Sequence, residues 1–236
     1  MNLFLHQIRH EVRQLGWGLV VWAFAGGCLI FAGRPSPRDQ GVGALFVYAV
    51  GSLLVILLSG VLAAKAMQQD HPTESNVFWR TRPVSPGRLL TVKLSLIGFT
   101  FVLVPAAVSL FLFRGAAPMN FETVNSTLFL WLTIAAMSAA IGACTKDQGR
   151  FVIVAIACLF AYVILKNGVS FFSGGGNTQL GMNFKPARGV ASDVFCVALA
   201  ALVIANQYFR RQERLSRVLL GVGVAGAALI ANWQSS

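Results

Sequence analysis

Lys65-Ala-Met-Gln-Gln-Asp-His-Pro-Thr-Glu-Ser-Asn-Val-Phe-Trp-Arg-Thr-Arg-Pro-Val-Ser-Pro-Gly-Arg-Leu-Leu-Thr-Val-Lys93 is a short charged segment between two long apolar runs. It carries five of the nineteen Lys and Arg residues, two of the eight acidic residues and three of the eight prolines. Before it, Val42–Ala64 holds no charged residue, and after it neither does Leu94–Phe113. A straight transmembrane helix needs about 20 predominantly apolar residues, and irregular backbone cannot lie exposed to lipid. The segment therefore reads as a polar connection between two membrane spans. That reading sets the fold class as an all-α integral membrane protein.

Composition points the same way. The 236 residues are 56% hydrophobic and 11% charged, against about 25% charged in a soluble domain. A formal net charge of +11 would suggest nucleic acid in a soluble protein. Here the basic residues lie between the apolar runs, where they orient spans and meet anionic headgroups. No nucleic-acid partner is expected. The four cysteines, Cys28, Cys144, Cys158 and Cys196, lie in or beside apolar runs without a CxxC spacing, so they read as buried thiols.

Working outward from the loop, seven apolar runs emerge: Leu15–Ala32, Val42–Ala64, Leu94–Phe113, Thr123–Cys144, Phe151–Leu165, Val190–Phe209 and Val218–Trp233. The first continues through Leu29-Ile30-Phe31, past the faint lipoprotein box Ala25-Gly26-Gly27-Cys28, and so suits a span. Ahead of it, Phe4, Ile8, Val12 and Leu15 fall on one helical face with His6, Arg9, His10 and Arg13 on the rest, the pattern of an interfacial amphipathic helix. The organisation expected is an interfacial helix over residues 1–14 and a six-span domain over 15–209. A basic hinge and a seventh span follow over 210–236, either as a terminal anchor or as the start of further chain. With the N-terminus inside, the inner segments hold thirteen Lys and Arg against six outside, which places loop 65–93 in the cytoplasm. Thr145–Arg150 makes the fourth and fifth runs a tight hairpin, and Ser170–Phe184 reads as an outer loop.

The chemistry of catalysis is not apparent. The interiors of the apolar runs hold no Asp, Glu, Lys, Arg or His, and Lys65, Lys93 and Asp193 read as edge residues. Ionisable groups within spans mark ion paths and proton relays, so proton- or sodium-driven transport is not expected. No His-Glu-x-x-His occurs, and no metal site or resident cofactor is expected. Gly221-Val-Gly-Val-Ala-Gly226 matches a dinucleotide fingerprint in letters only. It lacks the preceding strand and reads as helix packing through small residues.

The loop itself has a predicted shape. Pro72 suits the first turn of a short helix, and Thr73–Arg80 would carry Val77, Phe78 and Trp79. Pro83 and Pro86 stop that helix and push the preceding residues to extended conformations. Leu89 resumes a helix into the third span. Phe78 and Trp79 are anchor-type residues, and Arg80, Arg82 and Arg88 would face lipid phosphate or an acidic groove. The residues alone leave a docking surface and an ordinary interfacial belt equally open.

The string Glu74–Lys93 resembles the first cytoplasmic loop of type-2 ABC transporter permeases. The resemblance is carried by Phe78, Trp79, Pro83, Val84, Ser85, Arg88, Leu89, Leu90 and Lys93. The N-terminal amphipathic stretch and the first six spans are similar too, whereas the seventh run and the small outer loops depart from the pattern. The resemblance implies a coupling helix near Thr73–Arg82 that docks on a separate ATP-binding-cassette ATPase, with Glu74, Phe78, Trp79, Arg80, Arg82, Pro83 and Arg88 as the docking residues. It further implies a second permease subunit, ATP bound on the partner rather than on this chain, and the bacterial cytoplasmic (inner) membrane as the location. The expected function is thus the membrane subunit of an exporter, whose uncharged interior suits a lipid-like cargo. The alternative is a non-catalytic structural or accessory subunit of a larger membrane complex.

Overall fold

A computed structural model describes residues 3–32, 42–68, 85–113, 121–172, 186–210 and 213–233. Among them the chain is helical throughout, apart from Ser85 and the turn at 145–147, and contains no strand. The helices are α1 (Leu3–Ala32), α2 (Val42–Gln68), α3 (Pro86–Ile97), α4 (Val104–Phe113), α5 (Phe121–Cys144), α6 (Gln148–Phe172), α7 (Pro186–Ala205) and α8 (Glu213–Trp233). A π-helical turn, Gly98–Leu103, joins α3 to α4, and a second, Asn206–Arg210, extends α7. Five stretches among the described residues are long and apolar enough to cross a membrane: Ile8–Ile30, Val50–Gln68, Gly87–Phe111, Phe121–Cys144 and Ser192–Arg210. Gln148–Ala161 is a shorter apolar helix. The chain thus has the build of an integral membrane protein.

The first helix differs from the sequence expectation. No break separates residues 3–14 from the apolar run, because α1 is one helix of 30 residues, about 45 Å long. Its protein-facing line is a different one from the apolar face that the sequence assigns to the membrane interface. Glu11 and Leu15 are buried, and Leu19 and Trp22 pack partly buried on the core, whereas Val12 is 39% exposed. The inward line therefore runs through Glu11 at i, i+4 spacing, not through Val12.

Helix α3 begins at Pro86, three residues before the Leu89 expected from the sequence. Ser85 caps α3 in an extended conformation, its side-chain oxygen accepting from the Arg88 backbone N–H, and Pro86 follows in the first turn. Proline there costs nothing, since its missing N–H has no intrahelical partner to lose. Pro105 has the opposite effect. It lies inside the span, where a ring crowds the carbonyl four residues back and removes a ladder bond. The helix widens immediately before it, and the Val104 N–H donates to the Phe99 carbonyl in place of a four-residue bond.

Helix α5 forms the centre, with its most extensive contacts to α2 and α7; α1 lies on α2, and α8 bridges α6 and α7. Lipid is as apolar as a leucine side chain, so helices in it associate by close packing of small residues. Ala63, Ala64 and Ala66 of α2 share a buried cluster with Ala135, Ala139, Ala140 and Ala143 of α5. A Cβ built on Gly142 would lie 2.6 Å from the Ala64 Cα, so these two backbones nearly touch. On α8, Gly223 presses on Leu199 and Gly226 on Phe195, so two glycines of the Gly221–Gly226 stretch are helix-packing residues.

Candidate functional site

Six of the seven expected docking residues, Glu74, Phe78, Trp79, Arg80, Arg82 and Pro83, lie outside the described residues. Arg88 is described, and its side chain is exposed on the first turn of α3. What the structure does show is the platform from which loop 65–93 springs: the end of α2, the start of α3 and their surroundings.

Lys93 lies about two turns into α3. Its sequence position suggests an edge residue, yet it is 0% exposed. Its Nζ stands 3.4 Å from Glu11 Oε1 of α1 and donates to the Ala66 carbonyl near the end of α2. Glu11 is itself 4% exposed. Both residues fall within the spanning stretches Ile8–Ile30 and Gly87–Phe111, which corrects the expectation that ionisable groups stay out of the spans. The physical reason is pairing: removing either charge from water costs several kcal/mol, and each offsets that cost for the other. The only sequence signal for Glu11 was its being the sole acidic residue before Asp39, in a strongly basic stretch.

Other polar contacts lie at the same end of the bundle. Gln68, the last residue of α2, donates through Nε2 to Thr145 Oγ1 at 2.9 Å and to the Asp147 carbonyl at 3.1 Å. These bonds tie α2 to the turn between α5 and α6. Asp147 caps α6 by accepting from the Arg150 backbone N–H at 2.9 Å. The π turn of residues 206–210 packs against α3, and its Asn206 donates to Ser216 Oγ of α8 at 2.9 Å. The end of α2 is thus bonded to the turn between α5 and α6, and the π turn after α7 to α8, with Glu11–Lys93 as the charged contact at this end of the bundle.

Gln207, in that π turn, is fully buried, and neither side-chain amide atom has a hydrogen-bond partner among the described residues. A buried amide without partners costs about 1–3 kcal/mol. Gln207→Met, which keeps the length and removes the polar atoms, is expected to leave the melting temperature unchanged or raise it by a few degrees. A lower value measured by scanning fluorimetry would mean that the amide is satisfied in the folded protein.

The other half of the bundle holds an apolar cavity of about 260 Å³ between α1, α2, α4 and α5. Trp22, Gly26, Pro105 and Trp131 form part of its wall. Trp22 Nε1 donates to Ser59 Oγ at 2.7 Å and Trp131 Nε1 to Ser109 Oγ at 3.1 Å. With both indole N–H groups satisfied, the rings turn apolar surface to the cavity.

Among the described residues no group of three or more His, Cys, Asp or Glu side chains stands close enough together to hold a metal ion. The four cysteines are free thiols. At the base of loop 65–93 three helices are joined through one buried ion pair and one backbone carbonyl. The chain matches no protein-family model, no curated protein and no solved structure in the three comparisons made with known proteins.

Proposed function

We propose that this chain is the membrane-spanning subunit of an ABC-type exporter, seated in a bacterial cytoplasmic membrane with its N-terminus inside. A separate ATPase subunit would dock on loop 65–93, and a second permease subunit would complete the transport unit. ATP binds and is hydrolysed on the partner in this reading, and this chain does no covalent chemistry. The observation that carries the proposal is the bracing of Lys93 against Glu11 and the Ala66 carbonyl. A force applied to the loop reaches α2 and α3 together, and passes to α1 through the buried pair. A loop serving only as a linker would need no such brace. The apolar cavity among α1, α2, α4 and α5 suits a lipid-like cargo.

Purification of the tagged chain from its native membrane tests the proposal. A soluble ATPase of the Walker type is expected to copurify in stoichiometric amounts. Trp79→Ala and Arg82→Glu remove anchor-type side chains, and loss of such an anchor costs about 2 kcal/mol or more, roughly thirtyfold in affinity. Recovery of the ATPase should fall accordingly, while the fold of the membrane domain is retained. Recovery of membrane subunits alone, with no ATPase, would replace this reading with that of an accessory subunit.

A further inference from the structure

A second feature lies beside the helix platform, where the turn after α5 meets the starts of α6 and α8. A cleft of about 430 Å³ opens there. Lys146, Arg150 and Arg217 stand among its lining residues, with Ile153, Leu220 and Gly221 beside them. The two helices repeat one pattern: Arg150 precedes Ile153 by one turn of α6, and Arg217 precedes Leu220 and Gly221 by one turn of α8. The cleft is therefore basic at its mouth and apolar one turn deeper on both sides. Asp147, the residue after Lys146, is engaged by Arg150, with Arg150 Nε at 3.2 Å from Oδ2. Lys146, Arg150 and Arg217 together make the described lining of the cleft basic.

Gly221 adds an independent observation. Gly223 and Gly226 are pressed against α7, but a Cβ at Gly221 would meet none of the described atoms within 4 Å. Packing does not demand glycine at 221. Its effect is to leave the cleft open on the α8 side. Ile153 is 69% exposed, and the neighbouring Val218 and Val222 are 61% and 66% exposed, so the apolar wall is continuous with the lipid-facing surface.

We propose that this cleft binds an anionic phospholipid. Its phosphate would sit at Lys146, Arg150 and Arg217, and an acyl chain would lie along Ile153, Leu220 and Gly221. Guanidinium groups recognise phosphate by paired charge-assisted hydrogen bonds, and basic pockets between spanning helices suit anionic headgroups. Free phosphate would make no use of the apolar wall. An acidic peptide would leave backbone groups unsatisfied against it. The proposal does not rest on the exporter reading, since the side chains it uses, on α6, α8 and the turn before α6, are not ones that reading assigns to ATPase docking.

The test is retention of lipid by the full-length protein in detergent, read by native mass spectrometry after incubation with phosphatidylglycerol or phosphatidylcholine of equal chain length. One phosphatidylglycerol should remain bound under conditions that strip phosphatidylcholine. Lys146→Gln should weaken retention about fivefold, and the pair Lys146→Gln and Arg217→Gln about twenty-five-fold, the effect expected from one and two juxtamembrane cations. Gly221→Phe should abolish retention by filling the apolar wall, while the melting temperature without added lipid stays at the parent value. Equal retention of the two lipids would overturn the proposal. Unchanged retention in the double variant would do the same, as would competition by millimolar inorganic phosphate as effective as that by lipid.

Discussion

Lys93→Met is expected to destabilise the protein by about 3–5 kcal/mol, and the double variant Lys93→Met with Glu11→Gln by clearly less than that. The substitution keeps the aliphatic stem in place and takes away the ammonium 3.4 Å from Glu11 Oε1. The carboxylate of Glu11, 4% exposed, is then held in a low-dielectric site with its ammonium partner gone. Breaking a buried pair from one side costs far more than removing both charges, because the second substitution takes away the group left stranded. At about 2–4 °C per kcal/mol for a chain of this size, the single variant should melt roughly 10 °C lower. If the two single substitutions instead add without coupling, the pair contributes nothing of its own and the brace beneath loop 65–93 is not an ionic one. Reversal of the pair, Glu11→Lys with Lys93→Glu, is a stricter form of the same measurement. It restores opposite charges but cannot restore the bond that Lys93 donates to the Ala66 carbonyl, so only partial recovery is expected.

The reach of sequence reasoning here follows from which forces are local. Apolar runs of bilayer length are a property of contiguous residues, so the runs around Val50–Gln68, Gly87–Phe111 and Phe121–Cys144 were legible without a structure. From sequence the start of α3 reads three residues late, at Leu89, because Pro86 is weighed as a helix breaker and not as a first-turn residue behind the Ser85 cap. The inward face of α1 was not legible. Periodicity of apolar residues alone selects Phe4, Ile8, Val12 and Leu15, and a rule that looks for apolar groups passes over a buried carboxylate. What buries Glu11 is an ammonium on a helix remote in sequence. The widened turn at Gly98–Leu103 follows from Pro105, whose effect on its helix a search for unbroken apolar length ignores. Asn206, Ser216 and Gln68 were equally silent, because their partners come from other elements. As for docking, six of the seven residues that the resemblance marks, from Glu74 to Pro83, lie outside the described residues, and the described structure contributes the helix ends on either side of them.

Gly142→Ala is expected to cost about 3 kcal/mol, although alanine is the better helix former by about 1 kcal/mol. The reason lies across the α2–α5 contact. The added methyl would stand 2.6 Å from the Ala64 Cα and 2.7 Å from the Ala64 carbonyl oxygen. Backbone atoms cannot rotate away as a side chain can, so one helix must shift bodily, and overpacking of this kind costs about 1–3 kcal/mol, occasionally more. Gly18 provides the control. A methyl there would also come too close, at 2.4 Å, but to Leu62 Cδ2, the mobile end of a side chain. Gly18→Ala should therefore lie within about 1 kcal/mol of the parent, as the gain in helix propensity offsets a small rearrangement. Ala64 lies one turn before Gln68, so displacing α2 at that point also strains the bonds from Gln68 to Thr145 and the Asp147 carbonyl. The two substitutions are chemically identical and both fall on spanning helices. A melting temperature for Gly142→Ala equal to that of Gly18→Ala would mean that α2 and α5 are not held at backbone contact. The end of α2 would then be freer to move than the bonded platform beneath loop 65–93 requires.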